Sequence, residues 1–257
     1  MFPVRPAILV ATTALALVAI TRAAPADEPP VVMAHVGKLL LADDFSRDEI
    51  GSTWSYSKGS FWIDDGVFVG AQRDPAKHPP VCRTPLEFRN AVIDFRFQFH
   101  GTSRFNVVFN DRNWSQSHAG HICRAGLSPR LLTLGDDCEG VMKLGIFEKW
   151  QDPQTRPQIE PLVRDQSAKL AMQLEPEHWY RMTLEIVGDE MIASLDGKPL
   201  LHLKSAGLAH TPKTDWGFTV QGREVHFDDV SVWSAEQDSG WPARRESLFP
   251  ASAGSSQ

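Results

Sequence analysis

Residues Gly217 to Trp233 read GFTVQGREVHFDDVSVW, and their alternation constrains the fold more than any other stretch. Phe218 and Val220 form one short alternating run. Val225 and Phe227, continuing to Val230 and Val232, form another. Between them Gln221-Gly222-Arg223-Glu224 supplies turn chemistry, and the Asp228-Asp229 pair interrupts the second run. Successive side chains of a strand point to opposite faces, so a period of two gives a sheet with one apolar and one solvated face. The same grammar recurs through most of the chain, which predicts an all-β protein of antiparallel strands.

Strands are expected at Leu39–Phe45, Trp62–Ile63, Val67–Ala71, Asn90–His100, Arg104–Asn110, His121–Leu127, Leu131–Leu134 and Met142–Phe147. Tyr180–Val187, Met191–Leu195 and Pro199–Leu203 precede the final pair. Asp64-Asp65-Gly66, Gly188-Asp189 and Asp196-Gly197 carry the turns. One helical candidate, Leu162 to Leu174, lies between Pro161 and Pro176, and a loop fits it equally well.

The first five residues carry one positive charge and are followed by an uncharged apolar run, Ala7 to Ile20. Small residues at Thr21-Arg22-Ala23 or Ala24-Pro25-Ala26 then complete the layout of a secretory signal peptide over residues 1–23. The run is shorter than the roughly 20 residues of a membrane span. The expectation is a cleaved leader and a secreted or periplasmic soluble protein with no membrane span. Residues 24–36 read as a Pro-rich linker and 37–234 as one large β-domain. Residues 235–257, rich in Ser, Ala, Gly and Pro, read as a disordered tail.

The chain carries 26 Lys+Arg against 32 Asp+Glu, a net charge of −6. Losing residues 1–23 removes Arg5 and Arg22 and no acid, which leaves about −8. No basic cluster is present, so a nucleic-acid partner is not expected. Cys82, Cys123 and Cys138 allow one disulfide in an oxidising compartment. Cys123 and Cys138 flank a hairpin and are the expected pair.

Several segments together resemble a known family. They are Trp62-Ile-Asp-Asp-Gly-Val-Phe-Val-Gly, the Asp94-Phe-Arg-Phe-Gln-Phe strand, His178-Trp179-Tyr180 through Asp196-Gly197, and the closing Trp216-Gly-Phe to Trp233 run. With these the chain is similar to secreted domains of the 3-keto-disaccharide hydrolase-like family over most of Leu39–Trp233. The resemblance implies a concanavalin A-like jelly roll, two curved antiparallel sheets packed face to face. The chain departs from the family where an acidic "EIQI-D" type run usually follows the central strand. Here it has His118-Ala-Gly-His121-Ile-Cys-Arg124-Ala-Gly-Leu.

Laminarinase-type glycosidases of this architecture place paired carboxylates at alternate positions of one strand, and no Glu-x-Asp-x-Glu run occurs here. The family resemblance implies other chemistry. A ketone at sugar C3 acidifies the C2 proton, so one general base and one donor for the enolate suffice. The richest segment, Asn110 to Glu148, supplies candidates and also holds Asp136, Asp137 and Glu139. His121 is the candidate base and Arg124 or Arg112 the donor. Strict alternation would put His121 on the face of Cys123 and Ala125, opposite Arg124. Asp111 and Glu148 complete the candidate catalytic set. Trp114, His118, Asn110 and Lys143 are candidate sugar contacts. A solvated loop with one structural histidine accounts for the same residues. Asp43-Asp44 opens the domain and Asp228-Asp229 nearly closes it, so Asp44 and Asp229 are candidate ligands of a structural calcium ion. The expected partner is a carbohydrate, as a substrate or as the ligand of a non-catalytic module. A laminin-G-like adhesion domain is the third alternative.

Overall fold

Phe218 and Phe227, one from each of the two closing runs, stack with ring centroids 4.1 Å apart. That contact places the two runs in facing layers, and the rest of the chain follows. The computed structural model describes residues 27–54, 56–74, 78–101 and 103–250, so the expected signal peptide lies outside the described residues.

Alternating apolar residues form β1 (Ala34–Asp43), β2 (Tyr56–Lys58), β3 (Ser60–Asp64), β4 (Val67–Ala71) and β5 (Val81–Phe88). Next come β6 (Ala91–Phe99), β7 (Ser103–Asn110), β8 (His121–Ser128), β9 (Leu131–Asp136) and β10 (Ser167–Ala171). The last five are β11 (Tyr180–Val187), β12 (Glu190–Leu195), β13 (Lys198–Lys204), β14 (Lys213–Gly222) and β15 (Val225–Gln237). Short helices α1 (Phe147–Gln151) and α2 (Arg156–Ile159) lie between β9 and β10, and α3 (Trp241–Leu248) follows β15.

Among the described residues the strands make two antiparallel sheets. One runs β13-β12-β11-β6-β15-β4-β3 with β1 also on β15, and the other runs β10-β9-β8-β7-β14-β5-β2. These are the antiparallel sheets that the alternation predicts, arranged as the jelly-roll β-sandwich that the resemblance implies. The turn after Gly222 carries the chain from the second sheet to the first, so β14 and β15 are not partners. The Asp228-Asp229 interruption is a β-bulge, with Asp229 at φ 49°. It lets one half of β15 pair with β4 and the other with β1. Trp54, Phe68, Phe95, Phe97, Phe105, Trp216 and Phe218 fill the space between the layers. Most of these rings meet a neighbour tilted, stacked or edge-on within 6.5 Å, which adds orientation preference to plain burial.

Several boundaries differ from the sequence expectation. The linker expected over 24–36 is already structured at its end. Val32, Met33 and Ala34 donate backbone N–H groups to the Glu185 carboxylate at 2.7–2.9 Å, and β1 begins at Ala34. The tail expected to be disordered from Ala235 continues β15 and then forms α3. Trp241 is fully buried and donates to Glu190 Oε2 at 3.0 Å. One large aromatic side chain is enough to dock an otherwise polar segment, which composition averages conceal. The strand expected at Met142–Phe147 is a turn, because Gly145 sits at φ 79° and Lys143 N–H bonds to Gly140 O. The helical candidate Leu162–Leu174 is a short 3-10 turn followed by β10, which pairs with β9 from Ser167 to Ala171. β5 went unforeseen because Pro85 lies inside it. The proline is tolerated where a register shift interrupts its pairing to β14. Cys123 and Cys138 are separate buried thiols and not the expected disulfide. Burial pushes the Cys138 thiol up to about 12 and raises Cys123 as well, so both are protonated in the folded protein at neutral pH.

Glu185→Ala should leave three N–H groups, two of them buried, without acceptors. The expected loss is roughly 3 kcal/mol or more of unfolding free energy in urea titrations. Earlier proteolysis near Val32 should accompany it.

Candidate functional site

The two outer faces of the sandwich have different fates. On the first sheet, Met33, Ala34, Val92, Val187, Ile192, Ala235 and Trp241 form a second small core. The amino-terminal segment and α3 thereby cover that face. On the second sheet the outer face stays open and carries a trough of about 650 Å³. Its floor comes from β7, β8, β9, β10 and β14 through Arg104, Asn106, Arg124, Thr133, Lys169 and Gln221. The segment from Gly140 to Gln166, with α1 and α2, forms one wall and contributes Met142, Phe147 and Trp150. Arg156 lies 5.6 Å over the Trp150 ring and steadies it.

Glycines give this floor its depth. A Cβ on Gly126 would sit 2.6 Å from Thr133 Oγ1, 2.8 Å from Asn106 Oδ1 and 3.1 Å from Arg104 Nη2. Arg104 therefore lies over Gly126, and Arg124 passes Gly135 at ordinary contact distance. Asn106 anchors Arg104 by accepting at Oδ1 (3.4 Å), and it donates to Thr219 Oγ1 at 2.8 Å. Burial and the neighbouring Arg124 hold the Arg104 guanidinium below its ordinary value.

Adjacent aspartates at the end of β9 take opposite roles. Asp136 accepts from Ser205 Oγ (2.6 Å), Gly207 N–H (2.8 Å) and Glu139 N–H (3.0 Å), so its carboxylate is a structural tie. A side chain at Gly207 would collide with it. Asp137 is 1% exposed and lines the trough. Arg124 Nη2 stands 3.2 Å from its Oδ1, yet neither oxygen accepts a well-aligned hydrogen bond. Burial raises Asp137 to about 6, against the pull of Arg124. A buried carboxyl titrating near neutrality beside a cation has the character of an acid–base group. Asp137 stood within the acid-rich segment of the sequence. Nothing there separated it from Asp136, because the difference is the number of N–H groups each one meets.

The residues singled out from sequence do not gather at one point. Arg124 lines the trough. His121 shares its face, contrary to strict alternation, because a bulge intervenes. Phe109 pairs with Cys123 but Asn110 pairs with His121, so Ile122 is an extra residue and turns into the core with Cys123. Burial, together with Arg83 and Arg124, drives His121 down to about 3, and its Nδ1 is buried without a partner among the described residues. His121 is thus a neutral imidazole and a feeble base at neutral pH. Asn110 and Arg112 both hold Asp215, at 2.8 and 3.0 Å. Asp111 accepts from the Asn113 N–H and bonds to His210 Nε2 at 2.8 Å. Trp114 packs against His210 instead of standing in solvent, with centroids 4.6 Å apart. His118 stacks on Phe147 at 4.0 Å. Lys143 pairs with Glu139 at 2.7 Å, and exposed Glu148 accepts from Gly145 N–H at 3.0 Å.

The two aspartate pairs do meet, since Asp43 lies opposite Val230. However, Asp43 is bound by Arg47 and Trp54, Asp44 accepts from Ser46 N–H at 3.1 Å, and Asp229 faces Arg96 at 3.3 Å. Among the described residues no three His, Cys, Asp or Glu side chains converge to hold a metal ion. Nor is any helix among them long and apolar enough to cross a membrane.

No family profile matches the chain, and no curated protein matches it in sequence. Solved structures do resemble it. A protein of unknown function with a galectin-like fold from Bacillus subtilis has a TM-score of 0.54 at 16% identity, covering 79% of this chain and 99% of that one. An apo transglycosylase has 0.54 at 9% identity, covering 78% and 87%. A GlcNAcα1-4Gal-releasing endo-β-galactosidase from Clostridium perfringens has 0.53 at 10%, covering 82% and 65%. At such identities the likeness is one of fold: a galectin-like, glucanase-like jelly roll.

The raised Asp137 ionisation fixes a stability slope. Between about pH 4 and 6 the unfolded chain releases this proton first, so folding loses stability as pH rises through that window and the loss persists above it. In urea titrations from pH 4 to 7, Asp137→Asn should gain on the native protein by roughly 2–3 kcal/mol across the window. A constant difference would contradict the assignment.

Proposed function

We propose that this is an exported carbohydrate-active domain that holds a saccharide in the trough of the second sheet. The Asp137–Arg124 pair is its acid–base centre. The observation that carries the reading is Asp137, a buried carboxyl with no well-aligned hydrogen bond, raised to about 6 at the wall of the trough. The trough suits a sugar, with Trp150 and Phe147 available to ring faces and Asn106, Thr133 and Gln221 to hydroxyls. Neighbours in fold whose names declare them a transglycosylase and an endo-β-galactosidase are consistent with this.

A two-carboxylate hydrolysis is disfavoured, since Asp136 is consumed by its own hydrogen bonds. One carboxylate with a guanidinium beside it fits proton abstraction next to a ketone. This is the chemistry of the 3-keto-disaccharide hydrolase-like family that the sequence resembles. Deprotonated Asp137 takes the C2 proton, and Arg124 donates to the forming enolate oxygen. The enolate expels the C1 oxygen as an alcohol that takes the proton back from Asp137. Water then adds across the C1–C2 double bond to give the free 3-keto sugar. One observation favours a second reading, a non-catalytic sugar-binding module. Arg124 leaves Asp137 almost no exposure, so catalysis requires the pair to part.

Incubation with 3-keto-disaccharides and with plain disaccharides decides between them. Cleavage should be confined to the keto sugars, and kcat/KM should rise with pH through about 6 as the base loses its proton. Asp137→Asn should lower kcat/KM by about 100-fold or more. Binding of either sugar without cleavage leaves the module reading. Export is part of the proposal, and a mature protein beginning near Ala24 in cell fractionation would support it.

A further inference from the structure

The trough gathers cations on a chain that is acidic as a whole. Arg104, Arg124, Arg164 and Lys169 line it, within a protein of net charge −6. Of the three acids there, Asp136 is spent on backbone and serine donors, Asp137 is paired with Arg124, and exposed Glu160 forms no ion pair among the described residues. Among the described residues neither Arg104 nor Lys169 has a carboxylate within ion-pair distance, and exposed surfaces elsewhere offer many. Placing Arg104 and Arg124 on one face also costs like-charge repulsion. Arg104 is held in place against that repulsion. Thr219 Oγ1 takes the Asn106 amide at 2.8 Å, the Asn106 carbonyl takes Arg104 Nη2, and a side chain at Gly126 would displace it. A guanidinium that lines the trough, held at Nη2 by Asn106 and without a carboxylate partner among the described residues, is arranged to receive an anion from outside.

Building on the carbohydrate reading, we infer that the trough selects acidic saccharides, with a carboxylate or sulfate ester of the sugar received by Arg104 and Lys169. The anionic group supplies the acceptor that the protein withholds. The ring that bears it packs against the Trp150 wall.

Calorimetric titration of the full protein tests this with oligosaccharides of matched length. One is neutral, one carries uronic carboxylates and one carries sulfate esters, and inorganic sulfate alone is a fourth probe. Either acidic sugar should bind about tenfold more tightly than the neutral one, the better of the two identifying the group, and the advantage should shrink with added salt. Arg104→Gln and, separately, Lys169→Gln should each reduce the advantage to about twofold, with melting temperatures confirming that the variants fold. Because Lys169 is exposed, its variant reports even where the Arg104 variant does not fold. Equal affinity for neutral and acidic sugars, or a preference that survives both substitutions, overturns the inference and leaves the carbohydrate reading intact. Inorganic sulfate binding as tightly as the acidic sugar also overturns it. Absence of binding to any sugar removes both.

Discussion

The pleat of the second sheet is the constraint on which the rest depends. Because alternate side chains point to opposite faces, one set of strands must supply the dry interior and the floor of the trough at once. Phe105, Val107 and Phe109 pack inward while Arg104 and Asn106, between and beside them, face out. The aromatic packing holds the strands in register, and the register sets the spacing of the outward cations and hydroxyls. A slip of one residue would exchange the two sets and abolish both.

Covering one outer face and leaving the other bare gives this symmetric architecture a direction. Glu185 gathers the entering backbone, and Glu190 receives Trp241, His202 and Arg245 near the exit. Buried carboxylates with several donors each do this work alongside the second small apolar core. The open face is consequently the one with space for a ligand. Beside it, burial moves ionisation in opposite senses, lowering His121 and raising Asp137, while Asp136 is held by three donors.

Much of the fold was legible because alternation is a local signal. The Asp94–Phe99 run and the closing strands declare their faces without reference to anything distant. What stayed hidden depends on partners far along the chain. Val32–Ala34 looks like linker until Glu185 accepts its amides, and the polar tail looks unstructured until Trp241 finds its pocket. The site was legible by region only. Asn110–Glu148 contains Arg124 and Asp137, but three facts of the structure set these apart from their neighbours. Ile122 is extra in its ladder, Asp136 meets three donors, and Asp137 meets a single guanidinium. None of these is a property of residue type or spacing.

The extra residue at Ile122 carries an evolutionary consequence. Inserting or deleting a single position at that kink re-addresses His121 between the interior and the outer face of the second sheet, while Cys123 through Ser128 keep their neighbours. Descendants of such a chain exchange the group carried at this one position by a length change alone, with the greasy layer beneath undisturbed.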